Sequence, residues 1–219
     1  MKILSFNNAE DLANQTEVLF RQLYDLKQRA LRGFLPTGRS AEGFYRLLRA
    51  TSFWKMKFQI LQIDEFTQSD RLFYTSLKTQ VIDPLGLENH FEAIEPSWSD
   101  EQMQTHIKQV LSLPIDFALL GLGPNGHIGF HEPGCGDQNF LGGRVRLSPQ
   151  SFKRVAGASA PWALTFGAGS FLKAEKILMI VTGEEKAQIY QKFLETELTG
   201  DLPASLLKQH PDFTVLTTF

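Results

Sequence analysis

The chain has 219 residues, with 22 Lys and Arg against 24 Asp and Glu, a formal charge of −2. That near-balance argues against a general nucleic-acid binder, which carries a strong basic excess. An apolar fraction of 42% with 21% charged residues argues against a disordered chain.

Cys135 is the single cysteine, so no internal disulfide and no Cys-rich zinc site is expected, and a reducing compartment fits. The opening MKILSFNNAEDLANQ lacks the apolar run of a secretory signal. No stretch approaches the roughly 18 apolar residues of a membrane span, so a cytoplasmic location with no membrane partner is expected.

In chain order, Ile3 to Phe6 predicts a short strand. A helix follows with Leu12, Leu19, Leu23 and Leu26 on one stripe and Asn8 as its cap. Gly33 to Pro36 is a short apolar run, and Ala41 to Ala50 has helical spacing. FQILQI, from Phe58 to Ile63, predicts a strand, and Leu72 to Ile82 a helix ending before Pro84. A run at His90 to Ile94 precedes an amphipathic helix that starts near Asp100 and buries Met103, Ile107, Val110 and Leu111. Ile115 to Leu120 predicts a central strand and Ile177 to Val181 another. Lys186 to Leu198 is helical with Tyr190 and Leu194 inward, and Phe213 to Leu216 is a last strand. Apolar strands separated by helices predict an α/β fold of three layers, α/β/α, around a mainly parallel sheet. No repeat or linker interrupts residues 1–219, which predicts a single domain.

Four of the apolar runs are followed at once by polar sequence. These are Thr37-Gly38-Arg39-Ser40, Asp64-Glu65, the loop from Gly121 to His127, and Thr182 to Lys186. In a parallel sheet all four loops open on one edge, where ligands of open α/β sheets bind. The G-x-G-x-x-G of Gly121, Gly123 and Gly126 has the spacing of a dinucleotide motif. That motif opens a helix, whereas the HIGFHEPG that follows reads as an irregular loop.

Each candidate has a plain structural alternative. Thr37 to Ser40 suits a phosphate, with backbone N–H groups, two hydroxyls and a cation; equally, Ser40 could simply cap the next helix. Asp64 and Glu65 suit a sheet-edge acid or base, or a solvated or helix-capping pair. His127 sits between glycines that offer it little packing, and Glu132 lies close enough in sequence to form an acid–base pair with it. His131 has no evident partner and reads as a loop residue. Lys186 is either a phosphate ligand or a solvated first-turn lysine. The four-residue spacing of His127 and His131 would suit zinc on a helix, but Gly129 and Pro133 break that helix, so no metal is expected. Residues 138–174 carry Arg144, Arg146, Lys153, Arg154 and Lys173 without an acid, a solvated basic surface or a flap over an anion.

LPTGRSAEGFYRLL from Leu35, QIDEF from Gln62, LLGLGPNGHIGFHEPG from Leu119 and ALTFGAGSFLKAEKILMIVTGEEKA from Ala163 together resemble the glucosamine-6-phosphate deaminases. Their wider group includes the 6-phosphogluconolactonases. The tail from Leu202 is also similar to the deaminase end. The resemblance implies a Rossmann-like three-layer fold and conversion of glucosamine 6-phosphate to fructose 6-phosphate and ammonia, without a cofactor. It implies Asp64 as the base moving the C2 proton to C1. His127 would assist ring opening, with Glu132 and Asn125 orienting or charging it. Thr37, Gly38, Arg39, Ser40 and Lys186 would hold the phosphate of a small-molecule hexose phosphate.

Several positions depart from the family pattern. Asn125 stands where aspartate is frequent, His131 where asparagine is usual, and Arg39 where the phosphate loop has glycine. An arginine at a position of positive φ would be strained. Pro124 is lactonase-like, so a sugar-lactone hydrolase is the competing enzyme, and a sugar-phosphate sensor the competing non-enzyme. The sequence sets neither the oligomeric state nor an effector.

Overall fold

A computed structural model describes residues 1–152 and 160–219. The elements run β1 (Lys2–Ser5), α1 (Ala9–Lys27), β2 (Leu31–Leu35), α2 (Glu42–Ala50), β3 (Phe58–Gln62), β4 (Asp64–Phe66) and α3 (Leu72–Leu77). They continue with α4 (Asp83–Leu85), β5 (Phe91–Glu92), α5 (Asp100–Leu111), β6 (Ile115–Gly121), β7 (Gly142–Arg146), α6 (Pro149–Phe152) and β8 (Trp162–Phe166). The last are α7 (Ala168–Phe171), β9 (Ala174–Val181), α8 (Ala187–Glu195) and β10 (Phe213–Thr217).

Seven strands form one parallel sheet in the order β1-β10-β9-β6-β2-β3-β5. Successive side chains of a strand point to opposite faces, so the central strands feed two apolar layers. Phe34, Leu61, Ala118 and Leu120 meet α5, α7 and α8 through Met103, Ile107, Phe171 and Phe193. Leu31, Leu35, Ile60 and Leu119 meet α1 and α2 through Phe20, Phe44 and Leu48. The expected three layers and the central place of Ile115–Leu120 are both observed. No helix of the described residues is long and apolar enough to cross a membrane.

Asn8 caps α1, accepting from the Glu10 and Asp11 backbones at 2.9 and 2.8 Å. Leu26 is a correction: it is 82% exposed, because the buried stripe of α1 runs through Leu12, Ala13, Thr16, Phe20 and Leu23 and leaves Leu26 outside it. The helix expected to stop before Pro84 also runs on. A π turn at Lys78–Ile82 leads into α4, and the chain turns away at Gly86 with φ +68°. A widened turn tolerates the missing N–H of proline inside a helix.

A second sheet was not anticipated: β4, β8 and β7 pair antiparallel in that order. It hangs from the carboxyl end of β3, since Asp64 begins β4 immediately after Ile63, and it walls one side of the sheet edge.

Candidate active site

Strand order reverses between β2 and β6. From β2 the chain proceeds to β3 on one side, and from β6 it returns to β9 on the other. Such a switch point opens a crevice at the carboxyl edge of a parallel sheet. Here it is a cleft of about 480 Å³ lined by the segments after β2, β3, β6 and β9. The four polar loops singled out in the sequence do meet. Thr37, Gly38, Arg39, Ser40, Asp64, His127 and Lys186 all line the cleft.

Asp64 and Glu65 take different roles because β4 turns them to opposite faces. The Glu65 carboxylate accepts from the backbone N–H groups of Phe66, Phe73 and Tyr74 and from Gln62 Nε2, at 2.8–3.3 Å. It ties the start of α3 to the small sheet. Burial still pushes its pKa up, against the lowering effect of those bonds. Asp64 lines the cleft, is 6% exposed, and accepts no hydrogen bond among the described residues. Burial, and then the charge of Glu65, hold its pKa well above the ordinary carboxylate value. A carboxylate that binds its proton unusually tightly, beside a cleft, suits proton transfer.

The loop after β6 opens no helix, as the HIGFHEPG sequence implied. Instead it folds back so that the Gly123 N–H donates to the His127 carbonyl at 2.9 Å. A Cβ on Gly123 would stand 2.2–2.4 Å from His127 ring atoms, so the glycine is what lets the imidazole lie there. His127 Nδ1 is 3.2 Å from Ser151 Oγ and 3.5 Å from Glu132 Oε1. Glu132 is buried, and its Oε2 accepts from Asn125 Nδ2 at 2.7 Å. Asn125 Oδ1 in turn accepts from the His127 backbone at 3.2 Å. Asn125, His127 and Glu132 are therefore one unit, although Asn125 and Glu132 stand behind the cleft wall.

His131 is a correction. It is fully buried, its Nδ1 accepts from the Ala168 N–H at 3.1 Å, and its Nε2 faces the Gly136 carbonyl at 3.4 Å. It pins the loop to α7 and diverges from His127. Burial lowers its pKa, consistent with a neutral structural ring.

In the turn after β2 the positive φ falls on Gly38, at +117°, while Arg39 begins a short 3-10 helix (Arg39–Ala41) without strain. Ser40 caps nothing: neither that helix nor α2 has a side-chain cap. The Arg39 side chain is 85% exposed, with Nη2 3.5 Å from Glu185 Oε1. Lys186 Nζ donates to the Leu122 carbonyl at 2.6 Å, which holds the ammonium at the cleft wall.

Of the basic residues between 138 and 174, Arg144 is held by Asp100 and the Trp98 carbonyl at 2.6 and 2.8 Å. Arg144, Arg146 and Lys173 do not line the cleft. Lys153 and Arg154 lie outside the described residues. Sequence reasoning missed Ser148 and Ser151; their signal was the Ser-Pro-Gln-Ser run, a hydroxyl cap ahead of α6.

A family model described as glucosamine-6-phosphate isomerases/6-phosphogluconolactonase matches residues 8–216. Curated glucosamine-6-phosphate deaminases of Bacillus cereus (strain B4264) and Bacillus pumilus (strain SAFR-032) are each 27% identical over 99% of this chain. The matches cover 86% and 96% of those proteins. A solved monomeric glucosamine-6-phosphate deaminase superposes with TM-score 0.89 at 26% identity, covering 99% of this chain and 97% of its own. The 6-phosphogluconolactonase of Thermotoga maritima shares the fold, with TM-score 0.78 at 17% identity over 98% of this chain and 96% of its own.

Proposed function

Because the chain belongs to the family of glucosamine-6-phosphate isomerases and 6-phosphogluconolactonases, we propose that its cleft converts glucosamine 6-phosphate and water to fructose 6-phosphate and ammonia. Such a reaction begins on a closed pyranose. The C1–O5 bond must open, a proton must move from C2 to C1, and the resulting C2 imine must take up water and release ammonia. Each of the first two steps moves a proton, and two carriers on different sides of the sugar can serve them without either changing place.

One arrangement carries this reading: the cleft holds two such carriers on different walls. Asp64 lies on the β4 wall with no donor on its carboxylate among the described residues, and His127 lies on the β6 loop, backed by Glu132. Asp64 is the base that carries the C2 proton to C1, while His127 moves the proton of ring opening. Hydrolysis of a lactone needs only one base to activate water, and Glu132 would then have no task.

Thr37, Gly38, Arg39, Ser40 and Lys186 take the phosphate. Gly38 and Gly183, with φ +117° and +93°, each lead into a 3-10 turn at the cleft, one on each side of it. Backbone N–H groups at such turns favour an anion.

Incubation with glucosamine 6-phosphate should release ammonia and fructose 6-phosphate in equal amounts. Acid release from 6-phosphogluconolactone without ammonia from the amino sugar would establish the lactone hydrolase instead. Thermal stabilisation by either sugar without turnover would establish a sensor.

A further inference from the structure

A run of side-chain hydroxyls behind His127 has no part in the reaction as derived above. Ser148 Oγ accepts from the Ser151 N–H at 3.2 Å and from Asn125 Nδ2 at 3.4 Å. The Asn125 amide has no freedom to reverse: its Nδ2 serves the Glu132 carboxylate and its Oδ1 receives the His127 N–H. A serine hydroxyl has two acceptor positions and one hydrogen. With both acceptor positions of Ser148 filled by N–H donors, its contact to Ser151 Oγ at 3.1 Å is made by its own hydrogen. Ser151 accepts that bond and still has its hydrogen to give, and His127 Nδ1 is 3.2 Å away.

We propose that Ser151 is a positioning residue for His127, its hydroxyl donating to Nδ1 so that the neutral imidazole carries its hydrogen on Nε2, the nitrogen beside Gly123 at the cleft wall. Two partners compete for Nδ1. Glu132 can only accept, and so favours a hydrogen on Nδ1 and the protonated ring. Among the described residues, Ser151 is the group at that nitrogen able to donate. The Glu132 oxygen nearest the ring, Oε1, is buried and accepts no hydrogen bond among the described residues, as expected when Nδ1 is engaged by Ser151. When the ring gains a proton, Nδ1–H has that waiting oxygen 3.5 Å away. Ser151 and Glu132 thus serve the two charge states of one imidazole in turn. Among the described residues, the other charged groups of the cleft, Asp64, Arg39, Glu185 and Lys186, lie on other elements and supply a background field common to all variants at Ser151.

This inference rests on the proposed reaction for its purpose but not for its test, which needs no substrate. In the 15N-labelled full chain, the ring nitrogens of His127 are assigned by their loss in His127→Gln. The neutral ring should show the Nε2–H tautomer. Ser151→Ala should move it toward Nδ1–H and raise the titration midpoint of His127 by roughly half to one pH unit, the scale of one hydrogen bond to the neutral form. Ser148→Ala should do the same more weakly, and Ser151→Thr should restore the wild-type behaviour. An Nδ1–H tautomer in the wild type, or an unchanged tautomer and midpoint in Ser151→Ala, would overturn the proposal. Failure of the wild type to release ammonia would overturn the proposed reaction and leave the tautomer result standing.

Discussion

Asn125 Nδ2 donates to Glu132 Oε2 at 2.7 Å, so an amide, not a second acid, holds the carboxylate behind His127. Asn125→Asp would replace that donor with an acceptor at the same distance. Two carboxylates so close ionise together only at a cost, and the pair holds a proton more tightly folded than unfolded. A folded-state pKa raised above the unfolded one gives stability that is present at low pH and lost as pH rises through the raised value. Relative to the wild type, Asn125→Asp should melt at nearly the same temperature at about pH 4 and several degrees lower at about pH 8. A constant difference across that range in thermal denaturation would contradict the pairing.

Asp64 obeys the same linkage in the native chain. Its carboxyl is held above the ordinary range chiefly by burial, so its ionisation costs stability at neutral pH and nothing in acid. Asp64→Asn should therefore reduce turnover at least about 100-fold while the melting temperature at neutral pH rises. A gain of 1 kcal/mol corresponds to about 2–4 °C in a chain of this size. The acid limb of kcat/KM in the wild type should fall above the usual carboxylate range. Turnover near the wild-type value in Asp64→Asn would remove Asp64 from the reaction.

These two residues also mark where the sequence was readable. The parallel strands were legible because strands buried on both faces are unbroken apolar runs, as in IDFALL and ILMIV. The antiparallel sheet was not. β4 is only DEF, and β7 is GGRVR, which begins with two glycines and alternates too briefly to register. The position of Asp64 after a core strand was plain, but the turn that parts it from Glu65 belongs to that small sheet. His131 was missed for a similar reason. Its partners, Ala168 and Gly136, are backbone groups, which carry no signature in sequence.

Arg39 and Glu185 join the turns after β2 and β9 across the mouth of the cleft, at 3.5 Å. An exposed pair of this kind contributes little to stability, so neither substitution should move the melting temperature appreciably. The effect should fall on the anion. Arg39→Gly should raise KM for the phosphorylated sugar about 10-fold or more, with kcat less changed, because the phosphate is remote from the reacting carbons. Glu185→Gln should lower KM by removing the carboxylate that competes with phosphate for the guanidinium. Steady-state kinetics on both variants decides it, and an unchanged KM in Arg39→Gly would show that the side chain stays in solvent.

The three glycines of the misleading dinucleotide spacing separate cleanly by what surrounds them. Around Gly121 there is nothing within 4 Å of a built Cβ, and its φ is not positive. Gly121 lines the cleft, so the added methyl of Gly121→Ala meets open space and should leave the melting temperature unchanged. Gly126 has φ +90° and Leu202 Cγ at 2.7 Å from the added carbon. Gly126→Ala combines backbone strain with overpacking and should cost roughly 1–3 kcal/mol of stability. Gly123 differs from both, since the three atoms nearest its added carbon all belong to the His127 ring, a side chain rather than backbone, and its φ is not positive. Gly123→Ala should therefore cost less stability than Gly126→Ala yet depress turnover by about 100-fold, the scale of a displaced acid–base group. A pyrophosphate-binding loop would rank them differently. There Gly121 makes the tight turn and Gly123 admits the ligand backbone-close, so Gly121→Ala would be severe. Measuring kcat and melting temperature on the three alanine variants distinguishes the two, and a destabilised Gly121→Ala with a fully active Gly123→Ala would overturn the role given to the His127 ring.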